Sequence, residues 1–313
     1  MSDTLLMTGG RGLLGSAVRR LCPDAVAVDT RDADLRDIGQ VRRVFDRVKP
    51  RVVLHLAARV GGVKANAEHN AELFADNISI NTNVLRVAQE RGVSRLISVL
   101  SSCAFQLYAD RPSTEEDLHV GMPFEGNLGY SCAKRMLDIH TRLLARQYGC
   151  RFSTIAPVTM YGPHDDFDLD GGHVIGALIH KCYLAQQEGR PLTVWGSGRA
   201  VRQFVFVDDV AAVLLRMLRE ERGPETTIIA SDGGVTIRQL TELVARVMGF
   251  QGPVVYDTTK PEGVPVKRLT STKDDPIVRC FPFTPMEVGV RKTVEWFLSH
   301  TPEARAGYSV QRA

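Results

Sequence analysis

The chain has 313 residues, of which 44% are hydrophobic, 24% charged and 7% aromatic; this excludes a disordered, collagen-like or coiled-coil polypeptide and suits about two folded domains. Lys plus Arg number 39 against 36 Asp plus Glu, a formal charge of +3, too balanced to signal a nucleic-acid or membrane-surface partner. No apolar run approaches the ~18 residues of a membrane helix, and the Met-Ser-Asp-Thr-Leu-Leu-Met-Thr start lacks the basic flank of a secretory signal, so a cytoplasmic protein is expected.

In chain order, residues 4–8 form a short apolar run ending in glycines, after which Leu13, Leu14, Ala17, Val18 and Leu21 share one helical face. Residues 25–29 read as a second strand. Val41, Val44, Phe45 and Val48 make the next helical stripe, which Pro50 closes. Strands are expected at 51–57, 95–101 and 152–156, and helices at 71–91 and 130–148. Near-continuous apolar strands separated by helices imply parallel strands buried on both faces. The expected fold is α/β, a doubly wound parallel sheet of the Rossmann type with a smaller mixed α/β substrate domain.

The pattern loosens after about residue 163. Short strands at 192–195, 204–207, 227–230 and 254–256 mix with helices at 174–188, 208–219 and 236–248. Thr284-Pro285 reads as an N-cap and first-turn proline opening a last helix through residue 298. Residues 1–165 are expected to bind the dinucleotide, with segments near 204–220 returning to that domain, and 166–313 to bind substrate. Cys22, Cys103, Cys132, Cys150, Cys182 and Cys280 are scattered without a CxxC pair, which argues against disulfides and against a metal site.

Two motifs carry chemistry by themselves. Thr8-Gly9-Gly10-Arg11-Gly12-Leu13-Leu14-Gly15 lies between the first strand and first helix. Gly9 and Gly12 let the backbone approach a pyrophosphate, Gly15 lets the helix pack near the strand, and the helix N-terminus offers free N–H groups to the anion. At the end of the second strand, Asp29 suits a ribose 2′-hydroxyl and hence NAD, whereas Arg31 with Arg11 suits a 2′-phosphate. The two arginines favour NADP. In Tyr130-Ser131-Cys132-Ala133-Lys134, the i, i+4 spacing puts phenol and ammonium on one helical face, where a cation is expected to ease phenol ionisation. Ser101, at a strand's carboxyl end, sits where such sheets hold ligands.

With these motifs the sequence resembles the extended short-chain dehydrogenase/reductase superfamily and, within it, the epimerase/reductases of GDP-linked 4-keto-6-deoxy sugars. The likeness covers nearly the whole chain. It rests further on His55-Leu56-Ala57-Ala58 with Val60-Gly61-Gly62, Ser101-Ser102-Cys103, Tyr161-Gly162-Pro163-His164-Asp165, Gly172-His173-Val174-Ile175, Val194-Trp195-Gly196-Ser197-Gly198, Arg202-Gln203-Phe204, and Asp257-Thr258-Thr259-Lys260-Pro261 leading to Lys267. The resemblance implies 3,5-epimerisation by an acid–base pair, Cys103 and His173, followed by NADPH-dependent reduction at C4. Tyr130 would protonate the C4 oxygen, Lys134 would tune it, and Ser101 would stabilise the oxyanion. Cofactor contacts would come from Gly9, Arg11, Gly12, Leu13, Leu14, Gly15, Arg31 and Ala57, together with Lys134 and His173. Trp195, Arg202 and Lys267 would contact the GDP moiety, and His55 and His164 would be structural.

The same likeness implies a homodimer through the helices at 71–91 and 130–148. Val158-Thr159 stands where the family has Thr-Asn, which keeps colitose- or heptose-type GDP-keto sugars open as substrates. A plain NAD-dependent nucleotide-sugar 4-epimerase, which would need Tyr130 and Lys134 alone, is the other enzymatic reading. A catalytically silent dinucleotide-binding sensor is a third, and the intact Ser101, Tyr130 and Lys134 argue against it.

Overall fold

The computed structural model describes residues 4–61, 66, 68–169, 171–220, 223–231, 233–260 and 262–300. Its centre is a six-stranded sheet of β1 (Leu5–Thr8), β2 (Val26–Val28), β3 (Val52–His55), β4 (Arg95–Val99), β5 (Phe152–Pro157) and β10 (Thr226–Ile229), ordered β2-β1-β3-β4-β5-β10. Every pairing is parallel. Strands β4 and β5 are buried along their whole length, as parallel strands covered on both faces must be. The chain leaves β1 for β2 on one side and later places β3 on the other, so the crevice at the carboxyl end of β1 lies at the switch point of the sheet.

The helices follow from their stripes. α1 (Leu13–Leu21) buries Leu14, Ala17 and Val18, and α2 (Ile38–Val48) buries Val41, Val44 and Phe45. The Asp37 side chain caps α2 by accepting from Gly39 N at 2.7 Å. Two 21-residue helices, α3 (Asn70–Glu90) and α4 (Leu128–Tyr148), pack against each other.

A second apolar core surrounds Tyr161, Phe167, Ile179, Leu192, Phe206 and Phe297. Around it lie α5 (Val174–Glu188), α7 (Ile237–Met248), α9 (Met286–His300) and three small sheets. In these sheets β6 (Thr159–Tyr161) pairs with β9 (Phe204–Phe206), and β7 (Leu192–Trp195) with β12 (Val254–Asp257). β8 (Val201–Arg202) lies between β11 (Val235–Thr236) and β13 (Val266–Lys267). Between those excursions the chain returns to the large core, where α6 (Val207–Met217) contributes Val207, Val210, Val213 and Leu214. A one-turn helix, α8 (Pro276–Arg279), completes the set.

One capping expectation changes. Thr284 does not cap the last helix through its hydroxyl; its Oγ1 and N–H both donate to the Asp209 carboxylate, at 2.8 and 2.7 Å. The cap is exchanged for a tie between α6 and the segment leading into α9. Among the described residues no helix is long and apolar enough to cross a membrane, and no cluster of three or more His, Cys, Asp or Glu could hold a metal.

Candidate active site

The glycine loop follows β1 directly. Gly9 has a φ of +75°, and a Cβ there would stand 2.8 Å from Ala57 N, so only glycine allows the turn to press against the end of β3. A Cβ on Gly15 would stand 2.3 Å from Gly9 O; its absence lets α1 begin flush with the loop. At Gly12 the nearest atom to such a Cβ is 3.5 Å away, which leaves one open side. Gly12 is the N-cap of α1 and supplies no side-chain cap, so the N–H groups around Leu13 and Leu14 remain available to an anion. These features fit a pyrophosphate.

At the edge of this cradle Arg11 Nε lies 2.6 Å and Arg31 Nε 3.6 Å from the Asp29 carboxylate. The acid that could have held a 2′-hydroxyl is therefore engaged by the two guanidiniums, which themselves stay exposed on the rim. That arrangement fits a 2′-phosphate better than a free hydroxyl.

Beneath the loop His55 is buried. Its Nε2–H donates to Asn81 Oδ1 at 3.0 Å, and its Nδ1 accepts from the Thr8 hydroxyl at 2.8 Å, an assignment dictated by the amide oxygen being able only to accept. Burial first, and then the charge of Lys134, hold its pKa at about 4, so it is a neutral strut. His164, packed on the Trp296 ring at 4.7 Å, is likewise structural.

Lys134 and Tyr130 both project from α4. The Lys134 ammonium donates to the Val99 carbonyl at the end of β4 at 2.7 Å and lies 5.7 Å from the Tyr130 ring centre. Burial draws its pKa down to about 8. The expected easing of phenol ionisation is not found: burial first, then the neighbouring Cys103, raise the Tyr130 phenol, and only the Ser101 hydroxyl opposes them. Tyr130 is therefore a neutral phenol, a proton donor in waiting.

Just beyond β4, Ser101 opens a single helical turn at Ser102–Ala104, its Oγ accepting from Cys103 N at 3.2 Å. Arg135, next to Lys134 on α4, donates to the carbonyls of Ala104, Gly121 and Val120 at 2.6, 2.6 and 3.1 Å. This clamp fixes the loop after β4 on α4, and so Cys103 relative to Tyr130. The Cys103 sulfur accepts from Lys267 Nζ at 3.0 Å. Burial alone would raise the thiol. The charge of Lys267 and hydrogen bonds from Lys267, Ser101 and Asn127 outweigh it and hold the thiol below its ordinary value.

His173 is the N-cap of α5. Its Nδ1–H donates to the buried Asp165 carboxylate at 2.7 Å. Gly172 makes the approach possible, since a Cβ there would stand 2.5 Å from Asp168 O and 2.6 Å from Asp166 O. The Asp165 hydrogen bond, opposed by burial and helped by Cys103, raises the imidazole above its usual value. Cys103 thus acts electrostatically on Tyr130, His173 and Arg202 alike, and Ser101, Cys103, Tyr130, Lys134 and His173 form one neighbourhood.

Of the residues expected at the GDP end, Trp195 is 38% exposed rather than a core aromatic. Lys181 Nζ lies 4.3 Å and Lys260 Nζ 5.9 Å from its ring centre. Arg202 and Lys267 are register partners on β8 and β13. Arg202 donates to the carbonyls of Val201 and Glu262 at 2.8 and 3.5 Å, while Lys267 turns to Cys103. The sequence reading missed Asp165, Asn127, Lys181 and Lys260 as site residues. Asp165 had a signal, since it ends the quoted Tyr-Gly-Pro-His-Asp segment. Gly62 and Pro261, each part of a motif segment above, lie outside the described residues.

A parallel sheet with a pyrophosphate cradle at its switch point, and a Ser–Tyr–Lys set at the next strand ends, defines a dinucleotide-dependent enzyme. Residues 5–230 match the NAD dependent epimerase/dehydratase family, and the chain belongs to it. It is 35% identical over 311 residues to a GDP-L-fucose synthase of Dictyostelium discoideum, covering 96% of this chain and 97% of that one. It is 33% identical to the GDP-L-fucose synthase of Escherichia coli K12, covering 96% and 98%. A crystal structure of a GDP-L-fucose synthetase from Naegleria fowleri bound to NADP superposes with a TM-score of 0.89 at 35% identity, over 97% of this chain and 95% of that one.

Proposed function

We propose that the chain is an NADPH-dependent epimerase/reductase that converts GDP-4-keto-6-deoxy-D-mannose to GDP-L-fucose. The observation that carries this reading is a thiol made more acidic and an imidazole made more basic within one cluster around Tyr130. A plain 4-epimerase has no use for that pair.

A ketone at C4 acidifies the hydrogens on C3 and C5. Cys103 as thiolate takes one of these protons: the C–H bond breaks, S–H forms, and the electron pair moves into an enolate whose oxygen faces Ser101 and Tyr130. His173 as imidazolium returns a proton from Nε2 to the opposite face of the same carbon, which inverts it. Asp165 holds Nδ1 and keeps that proton on the reacting nitrogen. Bound NADPH supplies the hydride that C4 accepts. Tyr130, kept protonated by burial, gives its proton to the C4 oxygen, beside the Ser101 hydroxyl that favours its ionised form.

The cradle from Gly9 to Gly15, with Ala57 beneath it and Arg11 and Arg31 at its rim, supports NADP over NAD. Trp195 with Lys181 and Lys260 offers an indole face and two ammoniums to the guanosine diphosphate, and Arg202 adds a third cation. We read residues 1–165 with the returning 204–230 stretch as the cofactor-binding domain, and the remainder as the sugar-nucleotide domain. Free thiols at all six cysteines suit a reducing cytoplasm. The partly exposed Phe74 on α3 and Met136, Ile139 and Leu143 on α4, spaced as one stripe along α4, support a homodimer built on these helices; Leu143→Glu is expected to yield monomers by light scattering.

The test is product analysis. With GDP-4-keto-6-deoxy-D-mannose and NADPH, the expected sugar is L-fucose by NMR, with one NADPH oxidised per product. An unepimerised 6-deoxy-hexose as sole product would refute the reading.

A further inference from the structure

We propose that Lys267 is a positioning residue for Cys103, presenting its ammonium directly to the sulfur. This rests on the reading of Cys103 as the exchange base. On β13 Lys267 is the register partner of Arg202 on β8, so the two side chains emerge from the same face of one small sheet. The residues that follow are tied down on several sides. Leu269 N donates to Gln203 Oε1 at 2.7 Å, and Ser113 N donates to Arg268 O and Thr270 N to Ser113 O, both at 2.9 Å. The buried Glu115 carboxylate accepts from Ser271 Oγ and Thr272 N, at 2.5 and 3.0 Å, and also from Ile228 N of the large sheet at 3.1 Å.

Ser113 and Glu115 belong to the same post-β4 segment as Cys103. The sulfur and the strand carrying Lys267 are therefore braced against each other, and the 3.0 Å contact is not a chance reach of a long side chain.

The groups facing the sulfur can be assigned separately. From the post-β4 loop comes the Ser101 hydroxyl; from the start of α4 come Asn127 and the Tyr130 phenol; from the α5 N-cap comes His173. From the small sheet come Arg202 and Lys267. Arg202 and Lys267 differ in what they can do. Arg202 spends N–H donors on the Val201 and Glu262 carbonyls and acts on the sulfur only through its field. Lys267 alone puts a charged donor on it. When Cys103 takes a proton from C3 or C5 the contact loses its charge on the sulfur side, and when the thiol gives the proton up again the ammonium is already in place to restore the thiolate.

The experiment follows the rate of iodoacetamide alkylation at Cys103 against pH, read by mass of the Cys103 peptide in the full-length protein without sugar nucleotide. Cys150 and Cys182, both raised by burial, the latter to about 12, provide slow internal references. An opposite charge in contact shifts a titration by about 1–3 units. In Lys267→Met the midpoint is accordingly expected to move up by about 1–2 pH units, with Lys267→Arg restoring most of the shift and both variants still binding NADPH. An unmoved midpoint in Lys267→Met would overturn the proposal. Because alkylation needs no turnover, this result is independent of whether the epimerase reading itself stands.

Discussion

At the scale of single residues the site is a problem in protonation. A thiol near 9.0 and an imidazole near 6.5 would almost never be thiolate and imidazolium together. The structure moves each toward the other, the thiol down and the imidazole up, so thiolate and imidazolium coexist in a larger share of sites than the free side chains would allow. Exchange is lost at acid pH, where the sulfur is protonated, and at alkaline pH, where the imidazole is neutral. Asp165→Asn removes the charge behind the second shift. With the imidazole's pKa lowered by about 1 unit, the variant's rate at pH 8 is expected to fall about 10-fold, measured as solvent-deuterium uptake. Tyr130 makes the complementary case: Tyr130→Phe should slow NADPH oxidation about 10²–10⁴-fold while deuterium uptake persists.

At the scale of elements, two predictions concern the cofactor end. Gly15→Ala places a methyl 2.3 Å from the Gly9 carbonyl oxygen. The resulting overpacking is expected to weaken NADPH binding about 10–100-fold by fluorescence titration. His55 ties β3 to β1 and α3 as a neutral ring with a pKa of about 4. The unfolded chain binds a proton near 6.5 and the folded chain does not, so stability declines as pH drops from about 6.5 toward 4. Between pH 7 and 5 the loss assignable to this group is about 2 kcal/mol; urea midpoints should show that slope in the native chain and a flatter one in His55→Asn.

Most of the sheet and its helices were legible in the sequence because β1, β3 and β5 are short, largely apolar and buried runs and α1 and α2 each bury a clean stripe. β8, β11 and β13 were not, since two residues carry no period. For the same reason Cys103 and His173 were found through their motifs, but the partner of Cys103 was not. It lies 164 residues away in sequence on one of those strands, and nothing local to Lys267 points to a sulfur.

At the scale of the whole molecule, the proposed catalytic cluster draws on both cores: Ser101, Cys103, Tyr130 and Lys134 stand on the large sheet and its helix, while His173, Arg202 and Lys267 stand on the smaller assembly. Glu115 ties the segment after β13 to the large sheet, accepting from β10 and from residues 271 and 272. Glu115→Ala leaves buried donors unpaired and should cost about 3 kcal/mol of stability, seen as a lowered urea midpoint, with deuterium uptake falling more steeply than NADPH binding.

The most direct test of the account separates its two chemistries in time. The protein is given the GDP-linked 4-keto-6-deoxy sugar in deuterated water with no NADPH, and the sugar is examined by NMR. The account predicts deuterium at both C3 and C5 before any reduction, abolished in Cys103→Ser although that variant still binds NADPH. Reduction of the same sugar on later addition of NADPH, with no deuterium at either carbon, would contradict it.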